Sequence, residues 1–136
     1  MDYENKKLIS LQVSDEVDVA YAALEAKEYA KVIGFNTTSQ FMISTAVSEL
    51  ARNIYVYAKS GTIFLSTLEK RLGKGIQIIA DDDGPGIIDV AKALEDEFST
   101  GGTMGVGLPG TRRLMDEFEI KSSLGKGTKV KVIKWL

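Results

Sequence analysis

The segment from Ile78 to Thr111 constrains the fold of this chain more than any other. It begins with an apolar run that enters the acidic, glycine-punctuated sequence DDDGPG, and it ends in a second glycine-rich sequence, TGGTMGVGLPG, that leads into a helix-like stretch. Glycine tolerates positive φ and lets another backbone or a ligand come close. Two such turns around one intervening stretch therefore predict a binding cleft with a lid.

Histidine and cysteine are both absent from the 136 residues. Without histidine, the usual general base and the commonest metal ligand are excluded, so acid and base chemistry falls to carboxylates. Without cysteine, disulfides, thiolate metal sites and cysteine nucleophiles are excluded. The net charge of -2 argues against a nucleic-acid partner, and no apolar run is long enough to span a bilayer. We therefore expect a cytoplasmic protein with neither nucleic-acid nor membrane partners.

The spacing of apolar residues predicts the order strand, two helices, two strands, a lid region, a helix and two strands. The predicted ranges are Lys7–Val13, Val17–Ile33, a helix from Asn36–Ser39 to Tyr57, Thr62–Leu68, Gly75–Asp82, Leu108–Met115, Phe118–Ser122 and Thr128–Lys134. A chain of this length buries enough surface to fold alone, so we assign residues 1–136 to a single domain. Antiparallel strand pairs beside helices predict an α+β layered sandwich with helices covering one face of the sheet.

The acidic turn 82–86 has two interpretations. The simpler is a β-turn in which aspartate caps the backbone and glycine supplies positive φ. The alternative is a ligand site, because Asp81, Asp82 and Asp83 repel one another unless a donor-rich group neutralises them. An ionised carboxylate only accepts hydrogen bonds, so a buried aspartate here suits the exocyclic amine of a purine and does not suit a phosphate. Both interpretations stay open on the sequence alone.

The glycine-rich sequence 100–108 is either a flexible surface loop or an anion site. Glycine amides just before a helix N-terminus present converging N–H groups to an anion, aided by the helix dipole. A triphosphate fits such a site. The chain has no G-x-x-x-x-G-K-[ST] sequence, and its G-x-G does not open a first βαβ unit, so neither the P-loop nor the dinucleotide fingerprint applies.

The second predicted helix carries Glu49 and Asn53 four residues apart, hence on one face. They border the apolar stripe of that helix, which comprises Ile43, Val47, Leu50, Ile54 and Tyr57. An exposed helical pair is one interpretation. The other is that Asn53 offers a neutral oxygen to Mg²⁺, which needs few protein ligands, and that Glu49 acts as the general base.

Three segments together, ELARN (49–53), DDGPG (82–86) and GVGL (105–108), resemble the N, G1 and G2 boxes of the GHKL ATPase/kinase superfamily. The resemblance covers nearly the whole chain, and three boxes in the right order are specific where each alone is not. It implies the Bergerat ATP-binding fold, a two-layer α/β sandwich with a mixed, mostly antiparallel sheet, helices on one face and an ATP lid. The implied cofactors are ATP and Mg²⁺.

The resemblance also implies roles for individual residues. Glu49 is the implied catalytic residue, Asn53 the Mg²⁺ ligand and Asp82 the residue that reads adenine. The ATP lid is the segment from Ile87 to Met104. The other implied ATP contacts are Gly84 and Gly86 at the base, Gly105, Val106, Gly107 and Leu108 at the phosphates, and Thr128 on the last strand.

Within the superfamily, SELARNIYVYA and TGGTMGVGLPGTRRLMDEF resemble the anti-sigma-factor type of serine/threonine protein kinase, in particular the stressosome switch kinases. The implied activity is phosphorylation of serine or threonine on STAS-domain proteins, followed by binding and activation of a PP2C-type phosphatase. The alternative is a nucleotide-gated anti-sigma factor that sequesters a sigma factor. Two positions depart from related boxes, which often carry a basic residue or histidine in place of Tyr57 and asparagine in place of Asp83.

Overall fold

The computed structural model describes residues 4–71, 73–87 and 107–136, which form a single sheet with helices on one of its faces. Its elements in chain order are β1 Glu4–Val13, α1 Glu16–Ile33, α2 Thr37–Asn53, a π-helix Ile54–Ala58, β2 Gly61–Lys70, β3 Gly73–Asp82, α3 Gly107–Leu114, β4 Glu117–Ser123 and β5 Gly127–Trp135. The strand order is β1-β2-β3-β5-β4, and every pairing among these described strands is antiparallel. The prediction of an α+β sandwich with a mostly antiparallel sheet is confirmed.

Local sequence explains where the first two helices begin and end. The Asp15 side chain accepts a hydrogen bond from the Asp18 N–H, and the Asn36 side chain accepts one from the Ser39 N–H, so each helix has a side-chain N-cap. Helix α1 ends where Gly34 adopts a φ of 120°, a conformation that favours glycine. Helix α1 therefore starts and stops close to the predicted positions, and α2 starts where predicted but gives way to the π-helix after Asn53.

The apolar stripe of α2 differs from the prediction at its C-terminal end. Ile43, Val47, Leu50 and Ile54 are buried, as expected, but Tyr57 is 48% exposed. The reason is the π-helix, whose wider turns advance each residue through a smaller angle than an α-helix does and so change the phase of the stripe. Lys59 then ends the segment with a φ of 73°. The assignment of Tyr57 to the stripe was wrong.

The core lies between the helices and one face of the sheet. Alternate residues of each strand point into it, including Val13, Ile63, Ile78 and Val132, all 0% exposed. Burying an aliphatic side chain of this size contributes about 2 kcal/mol, so these positions dominate the register of the strands. On the opposite face Phe64 and Ile79 are half-buried, whereas Ser66, Leu68 and Ile133 are buried.

Some predictions fall outside the described residues. These are the lid beyond Ile87, together with Gly105 and Val106. The assignment of residues 1–136 to one domain stays a prediction. In the described parts of the chain, no helix has both the length and the apolarity needed to cross a bilayer.

Candidate functional site

Three polar side chains line up across the end of the sheet, on the face that the helices cover. Asp82 at the end of β3 pairs with Thr128 near the start of β5, and Thr128 pairs with Ser122 near the end of β4. Each lies two residues from an apolar side chain that points into the core, namely Ala80, Val130 and Ile120. Because side chains alternate along a strand, the three polar groups border the core at its open end.

The Asp82 carboxylate is held by two backbone donors. Its Oδ1 accepts hydrogen bonds from the Gly84 N–H at 2.9 Å and from the Thr128 N–H at 3.3 Å. Within the described part of the chain, Oδ2 accepts no hydrogen bond. The carboxylate is thus fixed in orientation while one oxygen is available to an outside donor, which favours the ligand-site interpretation of the acidic turn over the simple turn. Asp83, by contrast, is exposed.

Burial raises the pKa of the Asp82 carboxyl above its ordinary value of 3.8, because the charged form loses solvent. The N–H groups of Gly84 and Thr128 partly oppose this effect, and the negative charges of Asp81 and Asp83 add to it. A desolvated carboxylate that already has two donors and still a raised pKa is poorly neutralised. It is therefore suited to gain from a further hydrogen-bond donor.

The raised pKa makes stability depend on pH with a defined sign. Since the pKa in the folded state lies above the unfolded value, ionised Asp82 costs stability above the folded pKa, and this cost vanishes once the pH falls below 3.8. We expect Asp82→Asn to raise the midpoint of thermal unfolding at pH 7 without nucleotide, by an amount that shrinks as the pH is lowered. Asp83→Asn is the control at an exposed neighbour and should change little. Identical melting of Asp82→Asn and the parent protein at pH 7 would contradict this account.

Close backbone packing explains the glycines of the acidic turn. A Cβ on Gly84 would lie 2.6 Å from the Ala58 Cβ, and a Cβ on Gly86, whose φ is 82°, would lie 2.3 Å from the Ser123 carbonyl oxygen. The β4–β5 turn supplies a further contact, because the Gly125 N–H donates to the Pro85 carbonyl oxygen at 2.9 Å. The acidic turn therefore packs between the end of the π-helix and the β4–β5 turn. Contact of Gly84 and Gly86 with a base stays a prediction.

Glu49 lies on α2 and is only 6% exposed. Its Oε2 accepts a hydrogen bond from the Gly107 N–H at 3.2 Å. Gly107 has a φ of 65° and begins α3, where the Thr111 hydroxyl donates to the Gly107 carbonyl oxygen at 2.9 Å. The exposed-pair interpretation of Glu49 is therefore wrong, since the helix α3 N-terminus covers this carboxylate. Leu108, the next predicted phosphate contact, is buried at the same helix start.

Asn53 lies one turn after Glu49 and is half-buried. Its side chain makes no hydrogen bond within the described residues, so its carboxamide oxygen is available. Those residues contain no group of three acidic side chains placed to enclose a metal ion. One amide oxygen beside phosphate oxygens suits Mg²⁺, which retains several waters, so this donor set fits the ion that the sequence implies.

A hollow of about 300 Å³ opens at the ends of β1, β2 and β3. Its walls include Gln12, Thr62 and Phe64 on the face of the sheet away from the helices, together with Asp81, Asp82 and Asp83 at the strand end. Asp82 thus borders the hollow, whereas neither Glu49 nor Asn53 on α2 lines it. We therefore do not assign this hollow to the site that contains Glu49.

Sequence reasoning missed Ser122. Its hydroxyl contacts the Ile87 N–H, the Gly127 carbonyl and the Thr128 hydroxyl, so it joins the acidic turn to β5. The available signal was the alternation of β4, in which Phe118, Ile120 and Ser122 point inward. A serine at an inward position beside a glycine turn is a candidate for a polar contact.

Comparisons with known proteins give a family and named relatives. Residues 12–134 match the family described as Histidine kinase-like ATPase domain. The serine/threonine-protein kinase RsbT of Bacillus subtilis (strain 168) is 49% identical over 93% of this chain and 95% of its own length. The anti-sigma F factors of Thermoanaerobacter sp. (strain X514) and Caldanaerobacter subterraneus subsp. tengcongensis are 35% and 37% identical, each over 69% of this chain and 68% of their own length.

A solved structure with the same fold is the Mycobacterial sensor histidine kinase MprB. It superposes with a TM-score of 0.55 and covers 95% of this chain and 96% of that chain. The two sequences are 13% identical, so the likeness concerns the fold alone.

Proposed function

Since the chain belongs to the family of histidine kinase-like ATPase domains, we propose that it is an ATP- and Mg²⁺-dependent protein serine/threonine kinase that works by partner switching. The observation that carries the proposal is the buried Glu49 carboxylate at the N-terminus of α3. In this proposal the buried carboxylate is the general base, and the helix end beside it binds the phosphate anion. The 49% identity to a protein named serine/threonine-protein kinase supports the choice of acceptor residue.

Asp82 supplies base recognition in this proposal. Its Oδ1 is occupied by two backbone N–H groups, so Oδ2 accepts from the exocyclic amine of adenine. Because the burial that raises its pKa also leaves the charge poorly solvated, this hydrogen bond gains strength from the low local dielectric. Thr128 stands beside it on β5 and lines the same end of the sheet.

Helix α3 and α2 supply the groups for the reacting end. The first-turn N–H groups of a helix lack partners within the helix, and here Glu49 takes the one from Gly107. Among the described residues Oε1 has no hydrogen-bond partner, and in this proposal it accepts the proton of a substrate hydroxyl. Asn53, one turn further on, would hold Mg²⁺ through its carboxamide oxygen. When bound there, Mg²⁺ would offset the negative charge of the phosphate groups.

The proposed protein substrates are STAS-domain proteins phosphorylated on serine or threonine, and the proposed later partner is a PP2C-type phosphatase that the kinase activates. A cytoplasmic location belongs to the same proposal. Incubating the purified chain with labelled ATP, Mg²⁺ and a STAS-domain protein should yield phosphoserine or phosphothreonine in that protein, identified by mass spectrometry. Omitting Mg²⁺ is the control. Absence of transfer to a panel of STAS-domain proteins, in conditions where ATP binds, would contradict the proposal.

A second candidate is a nucleotide-gated anti-sigma factor, as two relatives carry that name. The observation that favours it is an exposed apolar row on α1, formed by Val17, Tyr21 and Leu24, which are 74%, 52% and 57% exposed. Exposed apolar rows of this kind are typical of protein-binding surfaces. Stable co-elution with a sigma factor only when ATP is present, without phosphorylation of a STAS-domain protein, would favour this candidate over the first.

A further inference from the structure

Ser122 makes three close contacts at the junction of the acidic turn and the β4–β5 hairpin. Its Oγ lies 2.7 Å from the Ile87 nitrogen, 3.2 Å from the Gly127 carbonyl oxygen and 2.8 Å from the Thr128 hydroxyl oxygen. Thr128 in turn donates its backbone N–H to Asp82 Oδ1 at 3.3 Å. Ser122 is thus hydrogen-bonded to Thr128, the residue whose backbone N–H holds the Asp82 carboxylate at the base end of the site.

The chemistry of these partners sets the direction of each hydrogen bond. The Ile87 N–H can only donate, and the Gly127 carbonyl can only accept. Ser122 has one hydroxyl proton, and the Gly127 carbonyl takes it. The Thr128 hydroxyl must then donate its own proton to Ser122. As a result, the Thr128 oxygen presents only lone pairs to its other neighbours.

We propose that Ser122 is a positioning residue that fixes the base end of the site as a set of acceptors, and so makes it selective for a 6-aminopurine. This rests on the proposed function, in which Asp82 reads the base. With Thr128 held as an acceptor, Asp82 Oδ2 and the Thr128 oxygen both favour a group that donates hydrogen bonds. A 6-amino group carries two N–H donors, whereas a 6-oxopurine offers a single donor, its N1–H, beside an oxygen that only accepts, so one of these two protein oxygens is left unpaired.

Removing the Ser122 hydroxyl changes which hydrogen-bond groups the base end of the site offers, and does not only weaken nucleotide binding. Thr128 loses its acceptor, so its hydroxyl can rotate and donate to a 6-oxo group. ATP then loses the Thr128 oxygen as a fixed hydrogen-bond acceptor. Inosine triphosphate gains the Thr128 hydroxyl as a hydrogen-bond donor to its 6-oxo group. The two nucleotides differ only at the 6-position and the adjacent ring nitrogen. A purely structural role would weaken both nucleotides alike, since they share ribose and phosphates.

The test is competition of ATP and inosine triphosphate against a ribose-labelled fluorescent ADP, with Mg²⁺ present. We expect the parent protein to bind ATP more tightly than inosine triphosphate. Ser122→Ala should reduce the ratio of the ATP affinity to the inosine triphosphate affinity about tenfold, which is the effect of one hydrogen bond that favours ATP in the parent and no longer does so in the variant. Ser122→Thr, which keeps the hydroxyl on a β-branched side chain, should restore the preference. Ser123→Ala, at the exposed neighbour on the same strand, is the matched control and should leave the ratio unchanged.

Ser122→Cys replaces the hydroxyl by a somewhat larger thiol that forms only weak hydrogen bonds, so it serves if Ser122→Ala does not fold. An unchanged ratio in both variants, beside an ATP-selective parent, would overturn the role of Ser122 while leaving the proposed function intact. A parent protein that binds the two nucleotides equally would overturn base reading by Asp82 as well. Because the readout is binding, neither result depends on finding a protein substrate.

Discussion

Replacing Glu49 by glutamine is expected to slow phosphoryl transfer to a STAS-domain protein about 10²- to 10⁴-fold, the usual contribution of a general base. Glutamine has the same shape as glutamate and retains an oxygen that can accept the Gly107 N–H, so α3 should keep its position. Its amide cannot take up the proton of the substrate hydroxyl. Transfer from labelled ATP, followed over time, measures the effect.

Two controls separate loss of the base from loss of the site. The affinity of Glu49→Gln for ATP and its unfolding midpoint should stay close to those of the parent. Glu28→Gln, at an exposed position on α1, should transfer phosphate at the parental rate. A parental rate in Glu49→Gln, or a loss of ATP binding that accounts for the whole defect, would show that Glu49 does not act as the base.

The largest effect on stability is expected at Gly127. A Cβ there would lie 1.9 Å from the Asp82 carbonyl oxygen and 2.8 Å from the Asp83 Cα, and the φ of 100° is already strained for any other residue. Backbone strain and overpacking together should make Gly127→Ala destabilising by about 4 kcal/mol. Denaturant unfolding measures the loss, and ATP affinity should fall with it because β5 is forced away from Asp82.

Gly125→Ala is a matched control in the same turn. Gly125 also has a positive φ, 75°, but a Cβ there would meet nothing within 4 Å. Its substitution should lower the free energy of unfolding by only about 1 kcal/mol, because alanine is disfavoured in the left-handed conformation. Equal losses for the two variants would mean that close packing against Asp82 is unimportant, contrary to the structure.

Local patterns predicted most of the fold because they depend on near neighbours. The caps at Asp15 and Asn36 and the alternation of β3 act over a few residues, and the structure confirms the elements that they delimit. Tyr57 is a residue whose burial the local pattern predicted wrongly. Nothing in the spacing of the second helix distinguishes an α-helical turn from a π-helical one, yet that choice decides whether the side chain is buried.

The candidate site was predicted as a set of residues but not as a set of contacts. The sequence linked the acidic turn to the glycines before α3, whereas in the described residues that turn packs on the β4–β5 turn through Gly86 and Pro85. Glu49 and Gly107 meet although they are 58 positions apart. Contacts at such separations depend on strand order, which no local pattern specifies, and this is also why Ser122 was missed.

The insertion of β5 between β3 and β4 has a consequence for biosynthesis. The Asp82–Thr128 contact spans 46 positions, so a growing chain that has completed β3 still lacks the partner that orients the Asp82 carboxylate. Nucleotide affinity should therefore arise abruptly, when the final hairpin docks, and not by degrees. Since a ligand stabilises only the state that binds it, cellular ATP would favour the finished protein over every partly folded predecessor, and a half-made chain would not hold the nucleotide needed to act on its partners.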